Sequence, residues 1–442
     1  MEKIRMQVSV INDESKLVYH NPIVIPPSTE RVCVGYSYSP EYGDEGARNE
    51  IDLALAASGK DIGTRGSDVW NVEVSESYST DGFIRIKPEG VWDVMIIRGK
   101  LFSPEIKVVL EIGFEPAVRR YYKGDTHAHT VNSDGKLTQE ALLKKAKKKG
   151  LEYLMVTDHN RPAVYGLPAV KGVTAIPGVE TTYFKGHANF WGKEKPYEKS
   201  FALNTLEEWR RLRDEARSNG AIICVNHPFC SMCPWRWELD PDDFDAVEVL
   251  NGPARDDTQK AVEWWEARIK EGKRLVPVGG SDYHRNYFVV STLGIPVTYV
   301  YSRSGAASDI LEAVKEGRTA VSVSMRHGLI DLKCGDAVVG DTLKFTGKDE
   351  VKISVRKLKR GERLVVINGG EILFEHTAKR TGDYSVTVTP VKAGAVYAKI
   401  VNRYRGVKRL LFDIVLSVML PSQAFKKHGE YVFALSAPIW FE

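Results

Sequence analysis

Residues 124–130 read GDTHAHT, and the histidine pair in this segment decides the fold that we predict for the middle of the chain. His127 and His129 are two positions apart, and residues at that spacing on an extended chain point to the same side. Asp134 follows five residues after His129 and is itself followed by glycine. The segment could therefore bring two imidazoles and a carboxylate close together.

The same kinds of side chain recur at the ends of the predicted strands that follow. The chain has ten histidines, and six of them fall between positions 127 and 284. The later motifs contain Asp158 and His159 (157–160, TDHN), Glu180 (178–180, GVE), His187 (186–189, GHAN), His227 (226–228, NHP), and Asp282 and His284 (281–284, SDYH). Because the carboxyl ends of parallel strands converge on one face, we expect these side chains to meet. Imidazole and carboxylate ligands favour zinc, manganese or iron, so the pattern predicts a metal site.

Residues 121–323 alternate between helix-like and strand-like segments. Thr138 is placed to cap one predicted helix, and Thr205 with Glu208 forms a capping box at the start of another. Short apolar runs such as 153–156 lie between the helices, and we interpret them as buried strands. The alternation predicts parallel βα units arranged as a barrel or a wound sheet.

The two flanking regions, 1–120 and 324–442, are rich in β-branched and aromatic residues with turn residues between them. In the first region, 83–86 and 91–97 are predicted strands. In the second, Asn368-Gly369-Gly370 predicts a hairpin turn. We therefore predict three domains: an N-terminal β-sandwich, a central α/β domain and a C-terminal β-sandwich.

Neither end of the chain predicts a membrane or secretory protein. The first ten residues, MEKIRMQVSV, lack the apolar run of a signal peptide. The longest apolar run near the other end, 410–420, has 11 residues and contains Asp413. That length is too short to span a bilayer and is typical of a buried strand. We expect a cytoplasmic protein that does not associate with membranes.

Net charge and cysteine content limit the kinds of partner and cross-link that the sequence favours. Of 442 residues, 62 are Lys or Arg and 58 are Asp or Glu, for a net charge of +4, so no overall positive charge favours nucleic acid. The five cysteines are an odd number and predict no disulfide framework. Cys230 and Cys233 form a CxxC, but a structural zinc site would need a second such pair. We interpret them as two loop thiols beside the site.

The order of the motifs HAH, DG, TDHN, GVE, GHAN, NHP and SDYH resembles that of the polymerase and histidinol phosphatase (PHP) family. The match covers 121–323, and within the family the chain is similar to the branch of carbaryl-hydrolase-like metallohydrolases with flanking β domains. The ending 437–440, APIW, is similar to a common terminus of that family. The resemblance implies a distorted seven-stranded (β/α) barrel that holds two or three divalent ions, zinc, manganese or iron.

The resemblance also implies which residues bind each ion. One ion would take His127, His129, Glu180 and Asp282; a second would share Glu180 and take His187 and His227; a third would take Asp134, His159 and His284. A metal-bound hydroxide would attack the substrate, so no separate general base is expected. His187 is the ligand whose spacing varies most among relatives, and its alternative role is that of a hydrogen-bonded loop residue.

Other polar residues near these motifs have two interpretations each. Asp125 and Asp158 precede metal-motif histidines and would either orient the imidazoles or cap strand-end turns. Arg161, Arg236 and Arg285 follow metal motifs and would either bind a substrate phosphate or lie on the surface as ordinary arginines.

The aromatic and basic clusters have mainly structural interpretations. Trp235 and Trp237 lie in a predicted loop, where they would stack on a base or ring. Trp264 and Trp265 fall on a predicted helix and fit a core position better. The lysine-rich run 144–149 fits the solvated outer face of a helix.

Four functions remain open from the sequence. The leading hypothesis is a phosphoesterase acting on a small phosphate ester or nucleotide. The second is a carboxylic ester, amide or carbamate hydrolase that uses the same metal-bound hydroxide. A nuclease is less favoured because the charge is nearly balanced. A binding module with a vestigial barrel is disfavoured by the complete ligand set. The oligomeric state is left open.

Overall fold

The computed structural model describes residues 2–66, 68–164, 166–198, 203–286, 292–404, 406–419 and 429–442. The chain divides into two compact units, one formed by Met1–Arg119 with Arg303–Ala307 and the other by Arg120–Ser302 with Ser308–Glu442. The division into three domains at 120 and 323 stays a prediction.

The first unit is built from two four-stranded antiparallel sheets. Its strands are β1 (Glu2–Ile11), β2 (Val18–Val24), β3 (Thr29–Ser39), β4 (Ile51–Ala57), β5 (Lys60–Arg65), β6 (Asn71–Ser75), β7 (Val91–Arg98) and β8 (Glu105–Pro116), with a short 3-10 helix at Asp44–Gly46. One sheet has the order β1-β8-β3-β6 and the other β2-β7-β4-β5. Alternate residues of both sheets, such as Val34, Leu53 and Val94, are buried in one shared core. The predicted N-terminal β architecture is present.

One predicted strand of this unit is wrong. Residues 83–86 form no strand, and Phe83 makes a single isolated bridge with Gly63. The backbone amides of Ile84 and Ile86 donate to two different strands, to the carbonyls of Ile62 on β5 and Ser75 on β6, at 2.8 and 3.2 Å. A composition rich in strand formers did not select the strand because a strand also needs a partner along its length.

The second unit carries the predicted histidine motifs. Its first part contains β9 (Arg120–Asp125), α1 (Gln139–Lys149), β10 (Tyr153–Val156), β11 (Thr174–Tyr183), β12 (Gly186–Trp191), α2 (Leu206–Ser218), β13 (Ile222–Val225), a 3-10 helix (Pro241–Asp243), β14 (Ala246–Asn251), α3 (Asp256–Lys270), β15 (Val276–Gly280), β16 (Val297–Ser302), α4 (Ala307–Lys315) and β17 (Thr319–Ser322). The predicted caps are present: Thr138 accepts a hydrogen bond from the backbone of Ala141, and Thr205 with Glu208 forms a full capping box. Every residue of β10 and β13 is buried, as expected for strands covered on both faces.

These strands form one mixed sheet, in the order β15-β14-β13-β12-β11-β10-β9-β16-β17. Parallel pairing joins β9 to β10, β10 to β11, β13 to β14 and β14 to β15. Sequence analysis did not predict β12 and β16, and these two strands depart from the expected parallel units because they pair antiparallel with both neighbours. Residues 184–185 are the whole connection between β11 and β12, and a loop that short allows only an antiparallel return.

The sheet curls so that β16 and β17 lie beside β15, the strand at its edge. Thr298 on β16 donates from its hydroxyl to the carbonyl of Gly279 on β15 and accepts from the Gly279 amide, both at 2.8 Å. Thr319 on β17 donates to the carbonyl of Pro277 at 2.8 Å. Side chains, rather than a backbone ladder, therefore join β15 to β16 and β17. The result is a strand-rich α/β architecture with a curled half-barrel sheet; closure into a seven-stranded barrel stays a prediction.

The C-terminal part extends the same sheet into a sandwich. Its elements are β18 (Leu329–Cys334), β19 (Ala337–Val338), β20 (Thr342–Leu343), β21 (Val351–Leu358), β22 (Arg363–Asn368), β23 (Glu371–Thr377), β24 (Gly382–Val388), β25 (Gly394–Asn402), α5 (Gly406–Met419), β26 (Tyr431–Ser436) and β27 (Ile439–Phe441). The curled sheet continues from β17 through β26, β25, β22 and β23, and the separate sheet β19-β18-β21-β24 packs its buried face against this extension. The predicted hairpin at 368–370 joins β22 to β23.

The predicted buried strand at 410–420 is wrong, because residues 406–419 form the helix α5. Leu420 lies outside the described residues. Apolar residues at Val407, Leu410, Leu411 and Ile414 follow helical spacing, and a count of consecutive apolar residues does not detect that periodicity. These four side chains are 72%, 57%, 56% and 48% exposed, while Phe412 between them is buried, so the described part of the helix buries only one of its sides. Within the described part of the chain, no helix has both the length and the apolar character needed to cross a membrane.

Candidate metal centre

The predicted motifs come together where the strands of the half-barrel end. The 127–129 segment directly follows β9, and the amide of His129 donates to the carbonyl of Tyr283 at 2.9 Å. His159 follows β10 and forms an isolated parallel bridge with Glu180. His227 follows β13. Parallel strands thus bring residues that are far apart in the sequence to one edge of the sheet.

Two of the predicted residues lie inside strands rather than after them. Glu180 is the seventh residue of β11, and His187 is the second residue of β12, directly opposite Thr182 in the ladder. His187 is therefore fixed by the β11–β12 hairpin. Its alternative interpretation as a loop histidine does not fit this position.

One oxygen of Glu180 faces three imidazoles. The carboxylate is fully buried, and Oε2 lies 3.3 Å from Nε2 of His127, 3.4 Å from Nε2 of His129 and 2.7 Å from Nδ1 of His159.

The other oxygen faces a different pair. Oε1 of Glu180 lies 3.1 Å from Nδ1 of His187 and 3.6 Å from Nε2 of His227, and it accepts a 2.9 Å hydrogen bond from the amide of Asn226. The two oxygens of one carboxylate thus serve two neighbouring groups of histidines.

The remaining predicted carboxylates border the same cluster. Asp282 Oδ1 lies 3.0 Å from Nε2 of His129. Asp134 Oδ1 lies 3.1 Å from Nε2 of His284 and 3.6 Å from Nε2 of His159. Asp134 is exposed, so this edge of the cluster opens to solvent. All nine predicted ligands are in one place.

The possible ligand atoms of the cluster, together with those of Cys233 and Glu248, form four compact groups. Within each group the atoms lie within 4.8 Å of one another. The groups are His127, His129, Glu180 and Asp282; His129, Asp134, His159 and His284; His187, His227 and Cys233; and His127, His227 and Glu248. The first has the same four members as the first ion site implied by the family resemblance. The second contains all three residues of the implied third site and adds His129. Whether these groups hold ions stays a prediction.

The buried polar atoms fit a cation. Glu180 Oε2, His127 Nε2 and His129 Nδ1 are all buried without a hydrogen-bond partner among the described residues. Nδ1 of His159 lies 2.7 Å from Oε2, but its hydrogen bond is with the hydroxyl of Thr182. A buried polar group without a partner costs about 1–3 kcal/mol. A divalent cation would satisfy Glu180 Oε2 and His127 Nε2 at once, so the donor set fits such an ion.

The charges of the cluster are mixed. Burial disfavours ionisation of Glu180 and Asp282, but the charge of His127 outweighs it and holds the pKa of both carboxyls well below the usual range. Burial lowers the pKa of His129 to about 4. Burial also opposes a charge on His227, but Glu180 and Asp282 raise the pKa of His227 to about 9. Before an ion binds, both carboxylates are therefore ionised at neutral pH and His129 is neutral, while His127 and His227 carry protons that a bound ion would have to displace.

The backbone around the cluster is strained. Asn160, His227 and Asp282 have φ values of 49°, 30° and 51°, and they are three of the six described non-glycine residues with positive φ. Such conformations cost of order 1–3 kcal/mol each and persist where the surroundings hold them. Two 2.9 Å hydrogen bonds between Asn160 and the backbone of Thr182 supply one such restraint.

The two aspartates predicted either to orient imidazoles or to cap turns contact backbone and hydroxyl groups. Asp125 accepts from the amides of Ser281 and Gly294 at 2.9 and 2.8 Å, and burial raises its pKa to about 6. Asp158 accepts from the amide and hydroxyl of Thr130 and from the hydroxyl of Ser133 at 2.6, 2.7 and 2.8 Å. These contacts match the second interpretation, since both residues hold the strand-end segments in place.

Sequence reasoning missed Glu248, which contacts an imidazole directly. Glu248 lies on β14, is buried, and its Oε1 accepts from Nδ1 of His127 at 2.8 Å. Its Oε2 accepts from the backbone amide of His227 and from the side-chain amide of Asn251, both at 3.0 Å. A lone glutamate in the apolar run AVEVL (246–250) was the available signal, because a buried carboxylate requires a partner.

The residues proposed for substrate contact are less defined. Arg161, Arg236 and Arg285 are all exposed. The guanidinium of Arg236 lies 4.7 Å above the ring of Phe184. Phosphate binding by these arginines stays a prediction.

The predicted stacking role of the loop tryptophans is wrong for Trp235. Trp235 is buried and packs edge-on against Trp209 and Phe244, with ring centroids 5.1 Å away in both cases. Trp237, half-buried, packs against the same core. Large apolar rings are driven into the core even from a loop when a cavity is within reach.

Comparisons with known proteins leave the family open. No protein-family model matches the chain, and no curated protein matches it. A two-domain protein of Bacteroides vulgatus containing a predicted PHP-like metal-dependent phosphoesterase is 19% identical with a TM-score of 0.39, over 63% of this chain and 90% of that one. A protein of Bifidobacterium adolescentis, provisionally named a metal-dependent phosphoesterase, is 16% identical with a TM-score of 0.28, over 38% and 90%. An amidohydrolase of Chromobacterium violaceum with bound sulfate and no metal is 13% identical with a TM-score of 0.27, over 38% and 89%. These scores are low, so the likenesses carry no argument, and membership of the PHP family stays a prediction.

Proposed function

We propose that this protein is a metal-dependent hydrolase, and that it acts as a phosphoesterase on a small phosphate ester or nucleotide. One observation supports the proposal above all others. Glu180 is buried among five imidazoles, three near one oxygen and two near the other. A carboxylate in that position is suited to bridge two cations, the arrangement used for phosphoester hydrolysis.

The proposed ion positions follow the groups described above. Two or three divalent ions would be held by His127, His129, Asp134, His159, Glu180, His187, His227, Asp282 and His284. We propose zinc, manganese or iron, because the donors are imidazoles and carboxylates. The fold we propose for this region is the distorted seven-stranded barrel of the PHP family, in its carbaryl-hydrolase-like branch.

The protein side chains would position the donors. When bound, the ions would supply a water of lowered pKa as the nucleophile. Glu248 orients the ring of His127. Asp125 holds the backbone at His127 and Ser281, and Asp158 holds the segment between His129 and Asp134 through Thr130 and Ser133. Exposed Asp134 and the neighbouring His284 mark the open side from which substrate would enter. Arg161 is our first choice for a contact with the substrate phosphate, because it follows His159 by two residues.

The proposal is tested by turnover on a panel of substrates. The full chain, loaded separately with zinc, manganese or iron, is assayed against generic phosphomonoesters, phosphodiesters and carboxyl esters. We expect metal-dependent hydrolysis of the phosphomonoesters. Hydrolysis of carboxyl esters alone would replace the proposed substrate class with the ester, amide or carbamate class. Activity restricted to phosphodiester polymers would favour a nuclease.

A matched pair of variants separates the site from the rest of the chain. Arg161→Ala should raise KM for the phosphate substrate, since the arginine would bind a substrate oxygen in ground and transition states alike. Arg268→Ala removes an arginine from α3, where its guanidinium pairs with Glu271 at 2.6 Å, and should leave KM unchanged. Equal KM values in both variants would remove Arg161 from the proposal.

A further inference from the structure

Two thiols lie on the loop that follows His227. Cys233 Sγ lies 3.7 Å from Nδ1 of His227, within hydrogen-bond range for sulfur, and 3.4 Å from Sγ of Cys230. Cys230 is buried, Cys233 is half-buried, and both are free thiols. Sequence analysis interpreted them as two loop thiols beside the site, without a contact to any histidine.

The contacts of His227 repeat those of His127. His127 presents Nε2 to Glu180 and Asp282 at 3.3 and 3.4 Å, and its Nδ1 meets Glu248. His227 presents Nε2 to the same two carboxylates at 3.6 and 3.9 Å, and its Nδ1 meets Cys233.

Each of these two rings therefore has an inner nitrogen toward the shared carboxylates and an outer nitrogen with a separate partner. The outer partner of a metal-binding histidine fixes the tautomer and the orientation of its ring. For His127 that partner is a carboxylate, and for His227 it is sulfur.

We propose that Cys233 is a positioning residue for His227, and that its proximity to Cys230 makes metal retention depend on the oxidation state of the two thiols. The inference rests on the metal site of the proposed function. Reduced Cys233 holds the outer nitrogen of His227. A disulfide with Cys230 removes the thiol hydrogen of Cys233 and shifts its sulfur, because the two sulfurs must close from 3.4 Å to about 2.05 Å.

The oxidation balances with a two-electron oxidant. Both thiols lose their protons, one S–S bond forms, and two electrons pass to the oxidant. With diamide, a diazene, the N=N bond takes up both electrons and both protons and becomes a hydrazine. Reduction with dithiothreitol reverses the reaction and restores both S–H groups.

Zinc affinity of the full chain tests the proposal, since zinc itself has no redox chemistry. We expect diamide to lower zinc affinity by roughly 10- to 100-fold, the usual cost of losing an outer partner of a metal ligand, and dithiothreitol to restore it. Peptide mapping verifies that the Cys230–Cys233 disulfide has formed. Cys230→Ser should bind zinc normally and show no response to diamide, while Cys334→Ser, which removes a thiol on β18, should respond like the unaltered chain.

Two results would overturn the inference. One is an unchanged zinc affinity in protein whose disulfide has been verified. The other is a thiolate-to-metal charge-transfer band in the cobalt-loaded chain that disappears in Cys233→Ala, because Cys233 would then be a ligand rather than a positioning residue. Zinc binding is measured without turnover, so a thiol-dependent affinity without phosphoesterase activity would refute only the proposed function. A chain that takes up no zinc in either state would refute both.

Discussion

The Nδ1 atom of His127 donates to Oε1 of Glu248 across 2.8 Å, and both side chains are fully buried. The two residues are 121 positions apart in the chain. This contact leaves Nε2 of His127 pointing at Glu180 and Asp282. Glu248 therefore determines which nitrogen of His127 is available to a cation.

Removing this contact should weaken metal binding. We expect Glu248→Ala to lower metal affinity by roughly 10- to 100-fold, because the ring of His127 loses its orientation. Glu248→Gln keeps an acceptor oxygen and should lose less. Titration with zinc measures both variants, and melting without metal controls for general damage. Equal losses in the two variants would mean that Glu248 acts only through packing.

Glu180 should be indispensable for metal content. Glu180→Ala is expected to abolish both bound metal and turnover, because one oxygen of Glu180 faces His127, His129 and His159 while the other faces His187 and His227. Elemental analysis and the phosphoester assay measure the two effects. Glu271→Ala, at an exposed ion pair with Arg268, serves as the matched control. Full activity in Glu180→Ala would refute the bridging role.

Metal binding should stabilise only one of the two units. A ligand present at 100 times its Kd stabilises the folded state by about 2.7 kcal/mol. We expect added zinc to slow hydrogen exchange in β10 and β13, which lead into the site, and to leave β4 and β7 of the first unit unchanged. Exchange measured by mass spectrometry with and without a chelator tests this. Equal protection in β4 would contradict a local site.

Gly186 precedes His187 and lies directly against the buried ring of Trp235. Its φ is +143°, and a Cβ added there would lie 2.4 Å from the ring of Trp235. Gly186→Ala should therefore lower the free energy of unfolding by about 1–3 kcal/mol and displace His187, with loss of metal affinity. Gly272→Ala also has a positive φ, +86°, but its Cβ would meet nothing within 4 Å. Chemical denaturation of both variants separates the clash from backbone strain, and equal destabilisation would argue against the clash.

Local patterns predicted much of the secondary structure. The caps at Thr138 and Thr205 and the hairpin at 368–370 were predicted because their determinants lie within a few residues. The antiparallel placement of β12 followed from the short loop after Tyr183, but the strand boundaries needed to recognise that loop came only from the structure. Residues 410–420 were misassigned because buried strands and helices both give apolar runs.

The candidate site was likewise predicted only in part. Nine histidine and carboxylate positions could be named from the sequence because their types and their places near strand ends share one chemistry. Glu248 was not named at all, and Cys233 and Asn226 were named without their contacts, because each acts through a partner distant in the sequence or through a ring nitrogen whose direction no spacing reveals.

By itself, the sequence determined which side chains could bind a cation, since donor chemistry is a property of residue type. It also determined that alternating strands and helices would carry these donors, since hydrophobic periodicity is local. Only the tertiary structure decided that Glu180 lies between two groups of histidines and that Glu248 and Cys233 face the outer nitrogens of His127 and His227. Those contacts depend on the curl of the sheet and on ring orientation, and both are set by packing between segments far apart in the chain.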